Sequence, residues 1–148
     1  MIPMSLTDLY REVILDHFRT PRNKGRLDDP DRHAEGTNPL CGDEIQIDLA
    51  VTDGVISDVR IDGQGCSISQ ASASMMTEAI KGKSLDEVAS LADTFNQLMT
   101  SDEDGVLDPE RPGAVLGDLE ALQGVREFPV RIKCATLSWH TMLDALDD

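Results

Sequence analysis

The sequence predicts one domain that combines a β-hairpin with amphipathic helices. Hydrophobic and polar residues alternate on both sides of Asp53-Gly54, which indicates two half-buried strands. Before and after this region the apolar residues recur at the i, i+3, i+4 spacing of helices. The chain has 148 residues, with 40% hydrophobic but only 3% aromatic content, so we expect a single aliphatic core within one domain over residues 1–148.

The first predicted helix lies near the N-terminus. Ser5 can cap it and Pro21 ends it. Its apolar stripe consists of Leu6, Leu9, Tyr10, Val13, Ile14, His17 and Phe18. Residues 22–40 are rich in Pro, Gly, Asp and Asn, which predicts a loop with room for one short strand.

The β-hairpin comes next. Residues 44–51 alternate between apolar and polar side chains, and Asp53-Gly54 is a two-residue turn signal. Residues 55–62 then provide the second half-buried strand.

The hydrophobic period changes from two to 3.6 after the hairpin. Gly63 and Gly65 permit a tight turn, and an apolar stripe from Ile68 to Ile80 predicts a helix that starts at Cys66. Residues 84–87, Ser-Leu-Asp-Glu, match a capping box for another helix that continues to Met99.

The region that follows has a different composition. Residues 100–113 contain charges, glycines and prolines typical of an exposed insertion, and we expect a short helix over 114–123. We expect Pro129 to break the chain and the last helix to begin near Cys134.

All three cysteines therefore fall at predicted junctions between elements. Cys41 precedes a strand, whereas Cys66 and Cys134 lie at or near helix N-termini. Such positions often carry ligands and nucleophiles, and a helix N-terminus favours the thiolate form of cysteine. Three thiols cannot all pair within one chain, so a metal site or a reactive thiol is the better explanation in a reducing compartment.

Charge and hydropathy exclude several partners. The formal net charge is −15 and the pI is near 4.3, which argues against nucleic acid. The basic stretch Arg19–Arg26 is either a solvated loop or a contact for an acidic partner. The first ten residues lack the pattern of a secretory signal and no apolar run could cross a bilayer, so we expect a cytoplasmic protein without a membrane partner.

Cys41 and Asp43 are two positions apart just before a strand, so in an extended chain both project to the same side. With Cys66 and Cys134 they would provide three thiolates and one carboxylate, a set that suits tetrahedral zinc. The residues alone leave an alternative open, in which Cys66 and Cys134 are small buried hydrophobes, Asp43 is a turn residue and Cys41 is incidental.

The three histidines are weaker ligand candidates. His17 lies on an apolar helical stripe, which favours a core position. His140 is six residues after Cys134, about 240° round a helix and therefore on another face. His33 lies in the predicted loop without a ligand-like spacing.

Four ordered segments resemble the IscU/NifU/SufU family of iron–sulfur cluster biogenesis proteins. They are LYREVILDHFRTPRNKGRL, CGDEIQI, GQGCSISQASASMMTEAIKG and FPVRIKCATLSW. The resemblance implies an α+β fold in which a small antiparallel sheet carries helices packed on one face. It also implies that Cys41, Asp43, Cys66 and Cys134 are the metal ligands and that they converge at one end of the domain.

Two features are similar to the SufU branch of this family. Lys133 stands where scaffold-type members have histidine, and an insertion occupies the region around residues 100–124. This branch implies a Zn²⁺-dependent sulfurtransferase that accepts persulfide sulfur from a SufS-like pyridoxal-phosphate cysteine desulfurase. Downstream iron–sulfur scaffold proteins would then receive the sulfur. The alternatives are an iron–sulfur cluster scaffold or carrier, and a module with purely structural zinc.

The resemblance also implies a division of roles. The docked desulfurase would displace Cys41 from zinc, and Cys41 would become the persulfide carrier while Asp43, Cys66 and Cys134 retain the metal. Arg131 and Lys133, next to a predicted ligand, either offset the negative charge of the site, contact the partner or are plain surface charges.

Overall fold

A three-stranded antiparallel sheet and four α-helices form the fold. The computed structural model describes residues 6–39, 42–100, 119–122 and 129–146. The elements in chain order are α1 (Leu6–Arg19), β1 (Arg32–Asn38), β2 (Asp43–Thr52), β3 (Val55–Gln64), α2 (Ser67–Ile80), α3 (Leu85–Thr100) and α4 (Pro129–Leu146). The α+β class is thus confirmed, and β1 is the short strand that the sequence allowed within residues 22–40.

The sheet has the strand order β1-β2-β3, and β2 and β3 form the predicted hairpin. Asp53 and Gly54 have φ angles of 54° and 77°. Positive φ at both central residues is the requirement of the type I′ turn, whose twist matches that of the flanking strands. On its other edge, β2 pairs with β1. Asn38, the last residue of β1, lies opposite Asp43, a predicted ligand at the start of β2.

The core lies between the sheet and the helices. Ile45, Ile47 and Leu49 alternate along β2 and are buried on one face, where α4 packs against β1 and β2 and α2 packs against β3. Helix α1 packs on α2. Phe95 of α3 stacks on Trp139 of α4 with ring centroids 5.0 Å apart, so α3 joins the same core through α4.

Helix α4 begins earlier than the sequence predicts. It starts at Pro129 and not near Cys134, because proline has no N–H to lose at the first helical position and its fixed φ suits that position. Cys134 therefore lies within the helix, and the expected effect of a helix N-terminus on its thiol does not apply.

The capping box of α3 is confirmed. The Ser84 Oγ accepts a hydrogen bond from the Glu87 backbone N–H at 3.1 Å, and the Ser84 N–H donates to Glu87 Oε1 at 3.2 Å. Of the short helix expected over 114–123, the structure describes residues 119–122, a single 3₁₀ turn. The rest of the insertion around 100–124, apart from the last residue of α3, lies outside the described residues, as does the predicted cap Ser5.

The opposite face of β2 carries a buried carboxylate, Asp48. It accepts hydrogen bonds from Arg26 Nε at 2.7 Å and from the Leu27 N–H at 3.1 Å, and it contacts His33 Nδ1 at 2.6 Å. His33 lies in β1, whereas the sequence predicted a loop at this position. Burial raises the pKa of Asp48, but the hydrogen bonds from Arg26, His33 and Leu27 outweigh it and hold the pKa below its usual value.

Arg22 and His17 also make structural contacts. Arg22 forms ion pairs with Asp16 at 2.5 Å and with Glu78 at 3.4 Å. His17 is buried, as predicted, and its Nδ1 lies 2.7 Å from Ser74 Oγ.

Among the described helices, none is both long and apolar enough to cross a membrane.

The Asp48 contacts predict a specific loss of stability in acid. A depressed carboxyl pKa stabilises the fold above the pKa of the unfolded chain, and this contribution is lost as the pH falls through the folded-state pKa. Asp48→Asn should therefore lower the free energy of unfolding at about pH 5, and its difference from wild type should shrink below about pH 4. Urea titrations at several pH values measure this difference.

Asp28→Asn is the matched control, because Asp28 is an exposed aspartate directly after Arg26 and Leu27, two partners of Asp48. It should change stability little at either pH. A cost for Asp48→Asn that stays the same from pH 5 to pH 3 would contradict the assigned role of the carboxylate.

Candidate metal centre

Three of the four predicted ligands meet at one end of the sheet. Asp43 is the first residue of β2, Cys66 immediately precedes α2 and Cys134 lies in α4. One ligand atom from each side chain lies within 4.8 Å of the other two. In the part of the chain that the structure describes, this is the one such group of three metal-binding side chains. Cys41, the fourth predicted ligand, lies outside the described residues.

The path of the backbone explains this convergence. The pairing of Asn38 with Asp43 places the start of β2 beside the end of β1, and the pairing of Glu44 with Gln64 brings the end of β3 to the same edge. The chain then turns at Gly65, so that Cys66 occupies the N-cap position of α2. Antiparallel pairing thus brings residues 43 and 66 together although they are distant in sequence.

The Asp43 carboxylate is held in place by the backbone of α2. Its Oδ1 accepts a hydrogen bond from the Cys66 N–H at 2.8 Å, and its Oδ2 lies 4.0 Å from Cys66 Sγ. The N-terminal end of a helix carries partial positive charge, which favours a carboxylate at this position. One oxygen is thereby fixed by the protein, and the other is directed towards the thiol.

Gly65 allows this close approach. A Cβ atom at position 65 would lie 2.4 Å from Asp43 Oδ1 and 2.7 Å from Ser69 Oγ, both far inside van der Waals contact. The sequence pattern indicates a turn at Gly63 and Gly65, but it does not reveal that Gly65 lies directly against a predicted ligand. That contact depends on the pairing of β2 with β3.

Burial differs among the donors. Asp43 and Cys134 are each 1% exposed, whereas Cys66 is partly exposed. The side-chain amide of Asn38 donates a hydrogen bond to Cys134 Sγ over 3.7 Å, a contact that the sequence analysis missed. In the sequence, only its position directly before the Pro-Leu-Cys-Gly-Asp segment associates Asn38 with the predicted ligands.

These donors fit a zinc ion. A buried carboxylate is costly without a compensating positive charge. Among the described residues, no lysine, arginine or histidine forms an ion pair with Asp43. Two soft sulfurs and one oxygen supply three of the four ligands that tetrahedral zinc accepts.

The alternative of incidental cysteines fits less well. Asp43 belongs to a strand and not to a turn, and its Oδ2 lies 4.0 Å from the Cys66 thiol. Cys134 does contact the hydrophobic core, as that alternative requires. The assignment of all four ligands, Cys41, Asp43, Cys66 and Cys134, remains a prediction.

Arg131 and Lys133 are both exposed on α4, close in sequence to Cys134. Exposure is compatible with a partner contact and with an ordinary surface role, so their function also remains a prediction.

Gly65→Ala should weaken metal binding, because the added methyl group must displace Asp43 or Ser69. We expect the affinity for Zn²⁺ to fall by about tenfold or more, the usual scale for disturbing the surroundings of a metal ligand. Competition with a chromophoric chelator measures the affinity. Gly25→Ala is the control, because its φ of 135° is also unusual for alanine but its Cβ would meet no atom within 4 Å. Equal affinities for the two variants would contradict the role assigned to Gly65.

Comparison with known proteins identifies the family of this chain. The sequence profile of the NifU-like N terminal domain matches residues 9–135. The chain is 48% identical over 139 residues to the zinc-dependent sulfurtransferase SufU of Bacillus subtilis, which covers 93% of this chain and 89% of that protein. It is 40% identical over 141 residues to the iron-sulfur cluster assembly scaffold protein IscU of Streptococcus pyogenes, which covers 95% and 84%.

The fold is also found in solved structures. A SUF-system protein of Fervidobacterium islandicum, described as an iron-sulfur cluster assembly scaffold protein, superposes with a TM-score of 0.83 at 32% identity. The match covers 96% of this chain and 99% of that one. The profile spans most of the sequence and the relatives cover nearly all of it, so the chain belongs to the NifU-like family that includes IscU and SufU.

Proposed function

We propose that this protein is a zinc-dependent sulfurtransferase, which accepts persulfide sulfur from a pyridoxal-phosphate cysteine desulfurase for iron–sulfur cluster assembly. The observation that carries the proposal is the convergence of Asp43, Cys66 and Cys134 within 4.8 Å. The SufU of Bacillus subtilis, 48% identical to this chain, is named a zinc-dependent sulfurtransferase.

Four side chains would hold the zinc: Cys41, Asp43, Cys66 and Cys134. Bound zinc would keep the thiols deprotonated near neutral pH, because the metal binds thiolate and not thiol. Asp43 is prepared for this role, since the Cys66 N–H fixes one of its oxygens.

Exposure supports Cys41 as the sulfur acceptor. Cys134 is 1% exposed, and Cys66 is only partly exposed at the start of α2. Pro39 and Gly42, the nearest described residues on either side of Cys41, are both exposed. A persulfide carried by another protein needs access to its acceptor, and these two neighbours of Cys41 in the sequence are accessible.

The transfer conserves atoms and electrons. The Cys41 thiolate attacks the outer sulfur of the desulfurase persulfide, and a new S–S bond forms as the S–S bond of the desulfurase breaks. The outer sulfur keeps its proton and becomes part of a Cys41 persulfide. The desulfurase cysteine leaves as a thiolate, which restores that enzyme for another turnover.

A scaffold or carrier for iron–sulfur clusters is the second candidate function. The same Asp and Cys side chains can bind iron, and the 40% identical relative from Streptococcus pyogenes is named a scaffold. We favour the transferase because Lys133 and the insertion around residues 100–124 resemble the SufU branch. A purely structural zinc module is the third reading, and it predicts no reactive cysteine.

The first test is metal content and its effect on stability. We expect one zinc per chain in protein purified without added metal, with sulfur and oxygen neighbours in X-ray absorption. Zinc removal should lower the melting temperature, because a ligand that binds only the folded state stabilises it, by about 4 kcal/mol when free ligand exceeds Kd a thousandfold. Absence of stoichiometric metal, or an unchanged melting temperature after confirmed zinc loss, would contradict the zinc site.

The second test is sulfur acceptance from a desulfurase of the same source. A desulfurase stalls while its cysteine is persulfidated, so the zinc-loaded protein should increase alanine formation from cysteine under excess reductant. Cys41→Ala should abolish this increase yet retain part of the zinc, because three ligands and a water still satisfy the ion. Cys66→Ala and Cys134→Ala should weaken both properties.

The outcome separates the candidate functions. Equal stimulation by wild type and Cys41→Ala, or a persulfide found by mass spectrometry only on Cys66 or Cys134, would refute Cys41 as acceptor. An inert zinc form, together with an iron-loaded form that passes a cluster to an apo-acceptor, would instead establish the scaffold.

A further inference from the structure

Asn38 makes a buried contact with one of the proposed ligands. It is the last residue of β1, is 6% exposed and pairs directly with Asp43 on β2. Its Nδ2 donates a hydrogen bond to Cys134 Sγ over 3.7 Å, a normal length for an N–H···S contact. Asn38 therefore lies between two predicted ligands that belong to different elements.

We propose that Asn38 is a positioning residue, whose amide holds Cys134 as an unreactive metal ligand and so helps to direct sulfur to Cys41. This inference rests on the proposed function. It adds a residue that touches neither the metal nor the persulfide and acts only through the Cys134 sulfur.

The chemistry of the amide suits this role. A hydrogen bond to a thiolate draws electron density away from sulfur, which stabilises the anion and lowers its nucleophilicity. The asparagine amide is neutral, so it adds no charge to the site. Aspartate in its place would repel the Cys134 thiolate, whereas lysine would compete with the metal for it.

The backbone around Asn38 limits where its side chain can go. Pro39 follows, and the residue before a proline is restricted to extended conformations. The strand pairing with Asp43 holds the same residue from the other side. Because the Asn38 contact with Cys134 is built on β1 and α4, it does not require Cys41 to stay on the metal.

A neighbouring contact provides a matched control. Ser72 of α2 is fully buried, and its Oγ donates a hydrogen bond to the Ala135 carbonyl oxygen at 2.5 Å. This bond ties α2 to α4 one residue from Cys134, and it involves neither a ligand atom nor a charged group. Loss of the Ser72 hydroxyl should therefore lower stability without a direct effect on the Cys134 sulfur.

The experiment compares wild type with Asn38→Ala, Asn38→Leu and Ser72→Ala, each loaded with Zn²⁺ or Co²⁺. Leucine branches at Cγ as asparagine does but has no donor, so it removes the hydrogen bond without leaving a cavity. Three quantities are measured: zinc affinity by chelator competition, the sulfur-to-cobalt charge-transfer band, and the alkylation of Cys134 relative to Cys66 in the zinc form by peptide mass spectrometry.

Both Asn38 variants should lose about 10- to 100-fold in zinc affinity. Their charge-transfer band should move to longer wavelength, because a thiolate without its hydrogen bond is easier to oxidise, and Cys134 should be alkylated faster relative to Cys66. Ser72→Ala should lower the melting temperature and leave the cobalt band in place. If the Asn38 variants keep the wild-type band and alkylation ratio, or if Ser72→Ala shifts them equally, the positioning role is refuted.

These outcomes are distinct from failure of the proposed function. A wild-type protein that binds no zinc would refute the zinc site itself. A wild type that binds zinc and accepts sulfur, alongside Asn38 variants with unaltered spectra, would refute only the role of Asn38.

Discussion

The juxtaposition of Asp43 and Cys66 depends on one hydrogen bond, which the Cys66 N–H donates to the buried Asp43 carboxylate. It joins the first residue of β2 to the start of α2 and brings a hard oxygen beside a soft sulfur. Gly65 is needed because this oxygen occupies the space of a Cβ atom. Cys134 completes the group from α4, which packs across β1 and β2.

Strand β2 carries two buried carboxylates, which differ in the groups that contact them. Asp43 and Asp48 are five residues apart, an odd offset that places them on opposite faces of the sheet. Asp48 has a guanidinium and an imidazole within hydrogen-bond distance, so its charge is neutralised by the chain itself. Asp43 accepts a hydrogen bond from the Cys66 N–H but forms no ion pair with a described cation, so a bound metal ion would supply the positive charge that it lacks.

The two described thiols also differ by environment. Cys134 is in the core and accepts a hydrogen bond from Asn38, whereas Cys66 is partly exposed at a helix start. Pro39 and Gly42, the described residues nearest to Cys41 in the sequence, are exposed. In a zinc sulfurtransferase these differences would let two cysteines serve as permanent ligands while the third exchanges between metal and sulfur. Metal retention and sulfur acceptance would then be divided among residues of the same chemical type.

Most local elements and the candidate metal-binding side chains can be identified from the sequence. Alternation of apolar residues and Asp53-Gly54 specify the hairpin, and Ser84 and Glu87 specify the start of α3, because these signals act over a few residues. Three contacts depend on the folded chain: the hydrogen bond between Asp43 and Cys66, the space that Gly65 leaves for it and the contact of Asn38 with Cys134. The tertiary structure also decided that Cys134 lies inside a helix, since Pro129 is compatible both with a break in the chain and with a helix start. The physical reason is distance along the chain: Asn38 and Cys134 are 96 residues apart, and only packing of α4 against β1 brings them together.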